Sequence, residues 1–245
     1  MFFLDPIYLL VLLVGGGLSF FASMRVKSAF AQGQKTPMSI GITGAQVAEE
    51  ILRAKRIDDV RVVQHRGFLS DHYNPLTKTL ALSPDVYGGR NASAAGVAAH
   101  EVGHAIQHAE AYAPLKMRSA IVPVANIGSS IGPWLVFAGI FMGSADQVAT
   151  GELGTAYYLA LFGVALFGLA TVFTLITLPV EFDASARAKR VLKELHLTRT
   201  DEEDRTVSRV LNAAGLTYVA AAISSLMMLI YWAMRAGLLG GGRSD

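Results

Sequence analysis

Two histidines and a glutamate lie close together in the sequence His100-Glu101-Val102-Gly103-His104. On a helix, side chains at positions i and i+4 leave the same face about one turn apart, so both imidazoles can reach one cation. Glu101 projects to the side of that face, where its carboxylate can take a proton from water instead of binding the ion. The spacing therefore predicts a zinc-dependent hydrolytic site on a helix.

A catalytic zinc ion normally has three protein ligands and one open position. The chain has no cysteine, so histidine, aspartate or glutamate must supply the third ligand. His108 does not qualify, because it lies eight residues and about 12 Å along the helix from His100. We expect Glu181 to be the third ligand, since it follows a charge-free apolar stretch whose helical hairpin would return it to the histidines. Asp183 is the alternative ligand.

The composition indicates a membrane protein. Of the 245 residues, 52% are hydrophobic and 16% are charged, whereas soluble domains have about 25% charged residues. Four charge-free apolar stretches reach the length of about 20 residues that a membrane-crossing helix needs. They are residues 6–24, 120–143, 153–180 and 217–234. The formal net charge of +2 gives no indication of nucleic-acid binding.

The charges between these stretches predict an orientation. Residues 25–119 hold 12 of the chain's 21 Lys and Arg, and residues 181–216 hold another 7. The link from Ser144 to Glu152 carries Asp146 but no basic residue. Because cytoplasmic segments are enriched in Lys and Arg, we expect both polar segments in the cytoplasm and both termini outside.

The first polar segment has the pattern of a small α+β module. Thr43 and Gln46 form a capping-box pattern at the start of a helix. Residues 60–63 and 79–82 have the composition of short strands. The helix that carries the histidine motif is expected to begin near Asn91 or Ser93, at residues that cap helices well, and to end near residue 111.

Four segments carry a resemblance to a known family. They are SDHYNP at 70–75, LSPDVY at 82–87, GVAAHEVGHAIQH at 96–108 and LPVEFDAS at 178–185. Together they resemble the YugP-type neutral zinc metallopeptidases of bacteria over nearly the whole chain. More distantly, two spans between the histidine pair and a glutamate resemble the HtpX and CAAX prenyl protease group of membrane gluzincins. In that group an aspartate follows the glutamate ligand by four residues, where this chain has Ser185, so either Asp183 or Ser185 takes over the steadying of a histidine ligand.

Motif and resemblance together predict a mainly α membrane protein with about four transmembrane helices and a small cytoplasmic α+β zincin-like catalytic domain. The domain would hold one Zn²⁺ per chain through His100, His104 and Glu181, with Glu101 as general base and then proton donor. It would hydrolyse peptides or membrane proteins at the cytoplasmic face of the bacterial plasma membrane, with the lipid bilayer as its surroundings and no nucleic-acid partner.

Substrate binding needs two further features. An extended peptide usually adds to a sheet edge, and we expect residues 79–83 to be that edge. The tetrahedral oxyanion needs a donor besides zinc. The candidates are His72, Tyr73, Tyr112 and Arg187, each of which suits a structural role better than a catalytic one.

Two readings without peptidase activity compete with this prediction. A transporter would place ionisable residues inside its spans, which here have none. Thr171, Thr174 and Thr177 fall on one side of the third span, where small polar residues favour helix packing. A non-catalytic zinc-binding membrane scaffold would explain the histidine pair, although it would not need Glu101.

Overall fold

The computed structural model describes residues 5–150 and 154–239, with side chains for 5–143 and 154–239. These residues form a mainly helical structure with a small mixed sheet, as predicted. The acidic link and Leu153 of the predicted third span lie outside the residues described with side chains. In chain order the elements are α1 (Pro6–Gly33), α2 (Gly44–Ala54), β1 (Arg61–Gln64), β2 (His72–Asn74), β3 (Thr79–Leu82), α3 (Pro84–Tyr87), α4 (Ala92–Ala109), α5 (Ala113–Thr150), α6 (Thr155–Glu194) and α7 (Asp201–Arg235).

Four of the described helices are long and apolar enough to cross a membrane, which confirms the four-span prediction. These candidate spans are Pro6–Gly33, Ala113–Gly143, Thr155–Glu194 and Asp201–Arg235. The helices that contain the first, third and fourth spans extend well beyond their apolar stretches, because the polar residues next to each stretch also favour a helix. Glu181 accordingly lies within α6 rather than after its end.

The chain divides into two compact units. The first, called the membrane unit, comprises Met1–Phe20, Met117–Thr177 and Val219–Asp245. The second, called the motif unit, comprises Phe21–Lys116 and Leu178–Tyr218. The histidine motif and Glu181 both belong to the motif unit.

Small residues bring the helices of the membrane unit close together. A Cβ atom on Gly128 of α5 would lie 2.1 Å from the carbonyl oxygen of Leu166 on α6. Thr171 of α6 makes a 2.8 Å hydroxyl hydrogen bond to Ser225 of α7. Thr174 donates to a carbonyl oxygen of its own helix. These contacts fit helix packing rather than a polar path.

Two helices form the framework of the motif unit. The side chain of Thr43 accepts from the backbone N–H of Gln46, whose side chain accepts from the backbone N–H of Thr43, so the predicted capping box is present at α2. Asn91 caps α4 by accepting from the N–H of Ala94 at 3.0 Å. The apolar face of α2 and most of α4 are buried in one core, with the strands and the end of α6 around them. The helix carrying the motif is therefore held on several sides.

The sheet corrects one prediction. Its strand order is β1-β3-β2, with β1 parallel and β2 antiparallel to β3. Residues 79–82 therefore form the central strand, so the expectation that residues 79–83 are an edge is wrong. The strand β2 was not predicted, because its three residues, His72-Tyr73-Asn74, lack the apolar alternation that is typical of a strand. The free edges belong to β1 and β2.

Candidate metal centre

The three predicted ligands meet in the motif unit. Nε2 of His100 lies 3.2 Å and Nε2 of His104 lies 3.5 Å from the same oxygen, Oε2, of Glu181. Ligand atoms at 2.0–2.1 Å from one tetrahedral zinc ion are about 3.4 Å apart. The spacing of these three side chains therefore fits a single zinc ion, and the group could hold a metal.

Hydrogen bonds at the other ring nitrogens orient the imidazoles. Nδ1 of His104 lies 3.0 Å from Oε1 of Gln107, an oxygen that can only accept, so Nδ1 carries the proton. Nδ1 of His100 lies 3.1 Å from the hydroxyl of Ser185, which can accept in the same way. Protonation at Nδ1 leaves the Nε2 lone pairs directed toward Glu181, which is the tautomer a metal needs.

Gln107 connects His104 to α6. Its side-chain amide donates to the carbonyl oxygen of Val180 and to Asp183, both at 2.8 Å. These two acceptors fix the orientation of the amide and leave its oxygen facing His104. Gln107 is fully buried. Sequence reasoning missed it, although its position three residues after His104, on the same helix face, was a usable signal.

Both Asp183 and Ser185 lie behind the histidine pair. Ser185 contacts His100 directly, whereas Asp183 reaches His104 through Gln107. Asp183 is not part of the cluster of possible ligands. Each of the two α6 residues is therefore connected by hydrogen bonds to a different histidine.

Gly103 allows α6 to approach the motif helix. A Cβ atom at this position would lie 2.6 Å from the carbonyl oxygen of Ala184 and 3.1 Å from its Cα. Real Cβ atoms do not approach backbone so closely, so any larger residue would push α6 away. The glycine inside the motif is therefore a condition for Glu181 to reach the histidines.

The centre is buried and negatively biased. Glu181 is 3% exposed, and His100, Glu101 and His104 are 8–9% exposed. Burial by itself lowers the pKa of His104, but the hydrogen bond that the protonated ring donates to Glu181 and the charges of Glu101 and Glu181 outweigh it, so the pKa of His104 is raised above its ordinary value of 6.5. A divalent cation would meet two carboxylates in surroundings that strengthen their attraction.

Comparison with known proteins agrees with this geometry. Residues 8–237 match a family described as "Putative neutral zinc metallopeptidase". The chain belongs to this family of zinc metallopeptidases. It is also 44% identical over 218 residues to the "Putative membrane protease YugP" of Bacillus subtilis (strain 168), which covers 89% of this chain and 91% of that protein. No solved structure matches the chain.

Family membership confirms the resemblance found in the four sequence segments. A zinc metallopeptidase family implies zinc, and the ligand chemistry of the motif unit suits it: two neutral imidazoles and one carboxylate are a common set for catalytic zinc. Glu101 follows His100 directly on α4, beside this set. The family and the side-chain geometry therefore agree on the class of metal site.

The remaining predicted residues have other partners. His72 is exposed, with Nδ1 2.9 Å from the carbonyl oxygen of Ser70. Tyr73 makes a 2.9 Å hydrogen bond to Nδ1 of His108, which lies outside the ligand cluster as predicted. Tyr112 lies under the guanidinium of Arg187, 5.6 Å from the ring centre. These contacts give each of the three a structural partner.

Arg187 belongs to the network behind the site. Its guanidinium pairs with Asp183 on the same helix and with Glu110 just after α4. Arg187 thus fixes the carboxylate of Asp183, which accepts a hydrogen bond from Gln107. Gln107 in turn contacts His104.

Proposed function

We propose that the protein is a zinc-dependent endopeptidase that hydrolyses peptide bonds at the cytoplasmic face of the membrane. One observation carries the proposal: both histidines of the motif direct Nε2 to one oxygen of Glu181, at 3.2 and 3.5 Å. Under this proposal His100, His104 and Glu181 hold one zinc ion, and the remaining position is open to substrate and water.

Each residue then has a defined task. Bound zinc supplies Lewis-acid polarisation and lowers the pKa of water toward about 7. Glu101 takes the proton of the attacking water and passes it to the nitrogen of the leaving amine as the peptide C–N bond breaks. Ser185 and Gln107 keep the imidazoles in the Nδ1–H tautomer throughout.

The edge of β2 replaces β3 as the proposed support for an extended substrate. The strand β3 is paired on both sides, so it has no free edge. Tyr73 of β2 contacts His108 at 2.9 Å, which places this strand beside the motif helix. A peptide added to β2 would therefore run along α4, with main-chain hydrogen bonds to hold it.

The testing experiment compares purified wild type with Glu101→Gln. Both should bind about one zinc per chain, and only the wild type should cut unfolded casein, with the variant slowed by about 10²- to 10⁴-fold. Glu49→Gln, at an exposed position on α2, is the matched control and should keep full activity. If the wild type binds zinc and cuts neither casein nor native membrane proteins, the peptidase proposal is overturned in favour of the alternative hypothesis, a non-catalytic zinc-binding scaffold.

The orientation has its own test, which the absence of cysteine makes simple. A single cysteine at Leu76, which is 94% exposed in the motif unit, should react with a membrane-impermeant maleimide only after bacterial cells are opened. A cysteine appended after Asp245 should react in intact cells. The opposite pattern would place the active site outside.

A further inference from the structure

A cavity of about 210 Å³ lies next to the metal centre, within the motif unit. His100 and Glu101 form part of its wall. Val97 precedes His100 by three residues and Glu101 by four, so it lies on the same face of α4. The cavity therefore opens beside the groups that would act on a peptide bond.

Most of the wall is hydrocarbon contributed by α1, α4, α7 and the loop before β2. The apolar residues are Val26, Phe30, Leu69, Val97, Val210 and Leu211. A cavity of about 150 Å³ with similar walls accepts a benzene ring. Sites for larger organic ligands or cofactors measure about 300–1,000 Å³. The size and lining thus suit one apolar side chain.

Asp71 adds a charge to this wall. Its carboxylate accepts from the N–H of Ser83 at 2.7 Å and from the hydroxyl of Ser83 at 3.1 Å, so the loop before β2 is fixed to the end of β3. Both acceptor atoms have partners. The carboxylate would repel an acidic side chain entering the cavity, where low polarity strengthens the repulsion.

The sequence places the cavity close to the membrane ends of two helices. Val26 follows the predicted first span by two residues, and Thr217 begins the predicted fourth span. A peptide segment that reaches the cavity therefore lies near the lipid surface. Segments next to the spans of membrane proteins have this location, where Trp and Tyr are enriched.

We propose that this cavity is the specificity pocket of the enzyme, and that it binds the apolar side chain of a residue flanking the scissile bond. The inference rests on the proposed function, because it assumes that peptide cleavage occurs at His100, His104 and Glu181. Leucine, methionine and phenylalanine fit the pocket. Aspartate and glutamate are excluded by Asp71, and glycine leaves the pocket empty.

Binding of two zinc-directed probes tests the pocket without requiring turnover. Acetyl-leucine hydroxamate and acetylglycine hydroxamate carry the same metal-binding group and differ in the side chain beside it. Zinc-loaded wild type should bind the leucine compound about 10- to 100-fold more tightly, because one aliphatic side chain is buried. The affinities are measured by calorimetry in detergent.

Two variants fill the pocket from different walls. Ala214 lines the cavity from α7, so Ala214→Leu should remove the preference for the leucine compound while the glycine compound binds as before. Val26→Phe, from α1, should do the same and guards against misfolding of the first variant. Ala54→Leu, at an exposed position on α2, is the matched control and should bind like the wild type.

The outcomes separate the pocket from the proposed function. If the wild type binds both hydroxamates equally, or if both filled variants keep the leucine preference, the pocket assignment is overturned and the zinc centre stands. If zinc-loaded wild type binds neither compound, no accessible metal is present, and both proposals fall. Mapping of casein cleavage sites by mass spectrometry should show the matching preference for apolar residues, reduced in Ala214→Leu.

Discussion

In both the membrane unit and the motif unit, a glycine allows two helices to pack closely, but the consequence of this contact differs between the units. Gly128 lets α5 approach the backbone of α6, and Gly103 lets α4 approach a later part of the same helix. In a bilayer, helices gain little from apolar burial against each other, so close packing itself provides the stability. In the motif unit the close approach also decides where Glu181 lies. A glycine in the membrane unit therefore allows close helix packing, whereas Gly103 in the motif unit allows Glu181 to reach the candidate metal centre.

The largest expected effect comes from exchanging these glycines for alanine. Gly103→Ala should weaken zinc binding by about 100-fold or more, because the added methyl group displaces α6 and with it Glu181. Gly128→Ala should leave zinc affinity unchanged and destabilise the membrane unit by about 1–3 kcal/mol through overpacking. Zinc titration and thermal unfolding in detergent measure both variants. Equal zinc affinity in the two variants would contradict the division of roles.

Gln107→Leu should have the next largest effect. The substitution removes the acceptor at Nδ1 of His104 and leaves Asp183 without its amide partner, so zinc affinity should fall about 10- to 100-fold. Ser185→Ala should act in the same direction on His100, at the lower end of that range. Gln32→Leu, at an exposed position on α1, provides the control. An unchanged affinity in Gln107→Leu would exclude the positioning role.

The pH dependence of the thermal stability of metal-free protein should reveal the protonation of His104 beside Glu181. The pKa of His104 is raised in the fold, so the protonated imidazole stabilises the metal-free protein at low pH. This contribution is complete below about 6.5 and is lost as the pH rises through the higher folded value. The Tm of chelator-treated protein should therefore fall as the pH rises above about 6.5. In Glu181→Gln, Tm should depend less on pH over the same range. A Tm that rises across the same window in the wild type would have the wrong sign.

The smallest effect is expected for Thr171→Val in the membrane unit. The variant loses the hydroxyl bond to Ser225, which costs about 0.6 kcal/mol on average for such pairs in membranes. Zinc content and hydrolysis should be unchanged. A loss of zinc from this variant would mean that the threonine series does more than pack helices.

The two units also differ in how far the sequence predicted them. Long apolar stretches specify spans by composition alone, so all four helices of the membrane unit were predictable. The i, i+4 spacing predicted the histidine pair for the same reason, since a helix fixes that geometry locally. Glu181 required the further assumption of a hairpin, and the cluster in the structure agrees with it.

Nonlocal contacts account for what the sequence missed. The three-residue strand β2 is defined by pairing with β3 rather than by its own residues, and its presence moves β3 to the centre of the sheet. Gln107 has a role only because α6 supplies Val180 and Asp183 as acceptors. Such partners depend on tertiary packing, which no pattern within one segment records.

X-ray absorption at the zinc edge tests the central claim most directly. The account predicts one zinc per chain in the wild type, with two imidazole ligands and only nitrogen and oxygen atoms at about 2.0–2.1 Å. His104→Ala and Glu181→Ala should each lose this signal, whereas Glu101→Gln should keep it. A zinc site that persists with an unchanged spectrum in His104→Ala and Glu181→Ala would contradict the assignment of the metal centre.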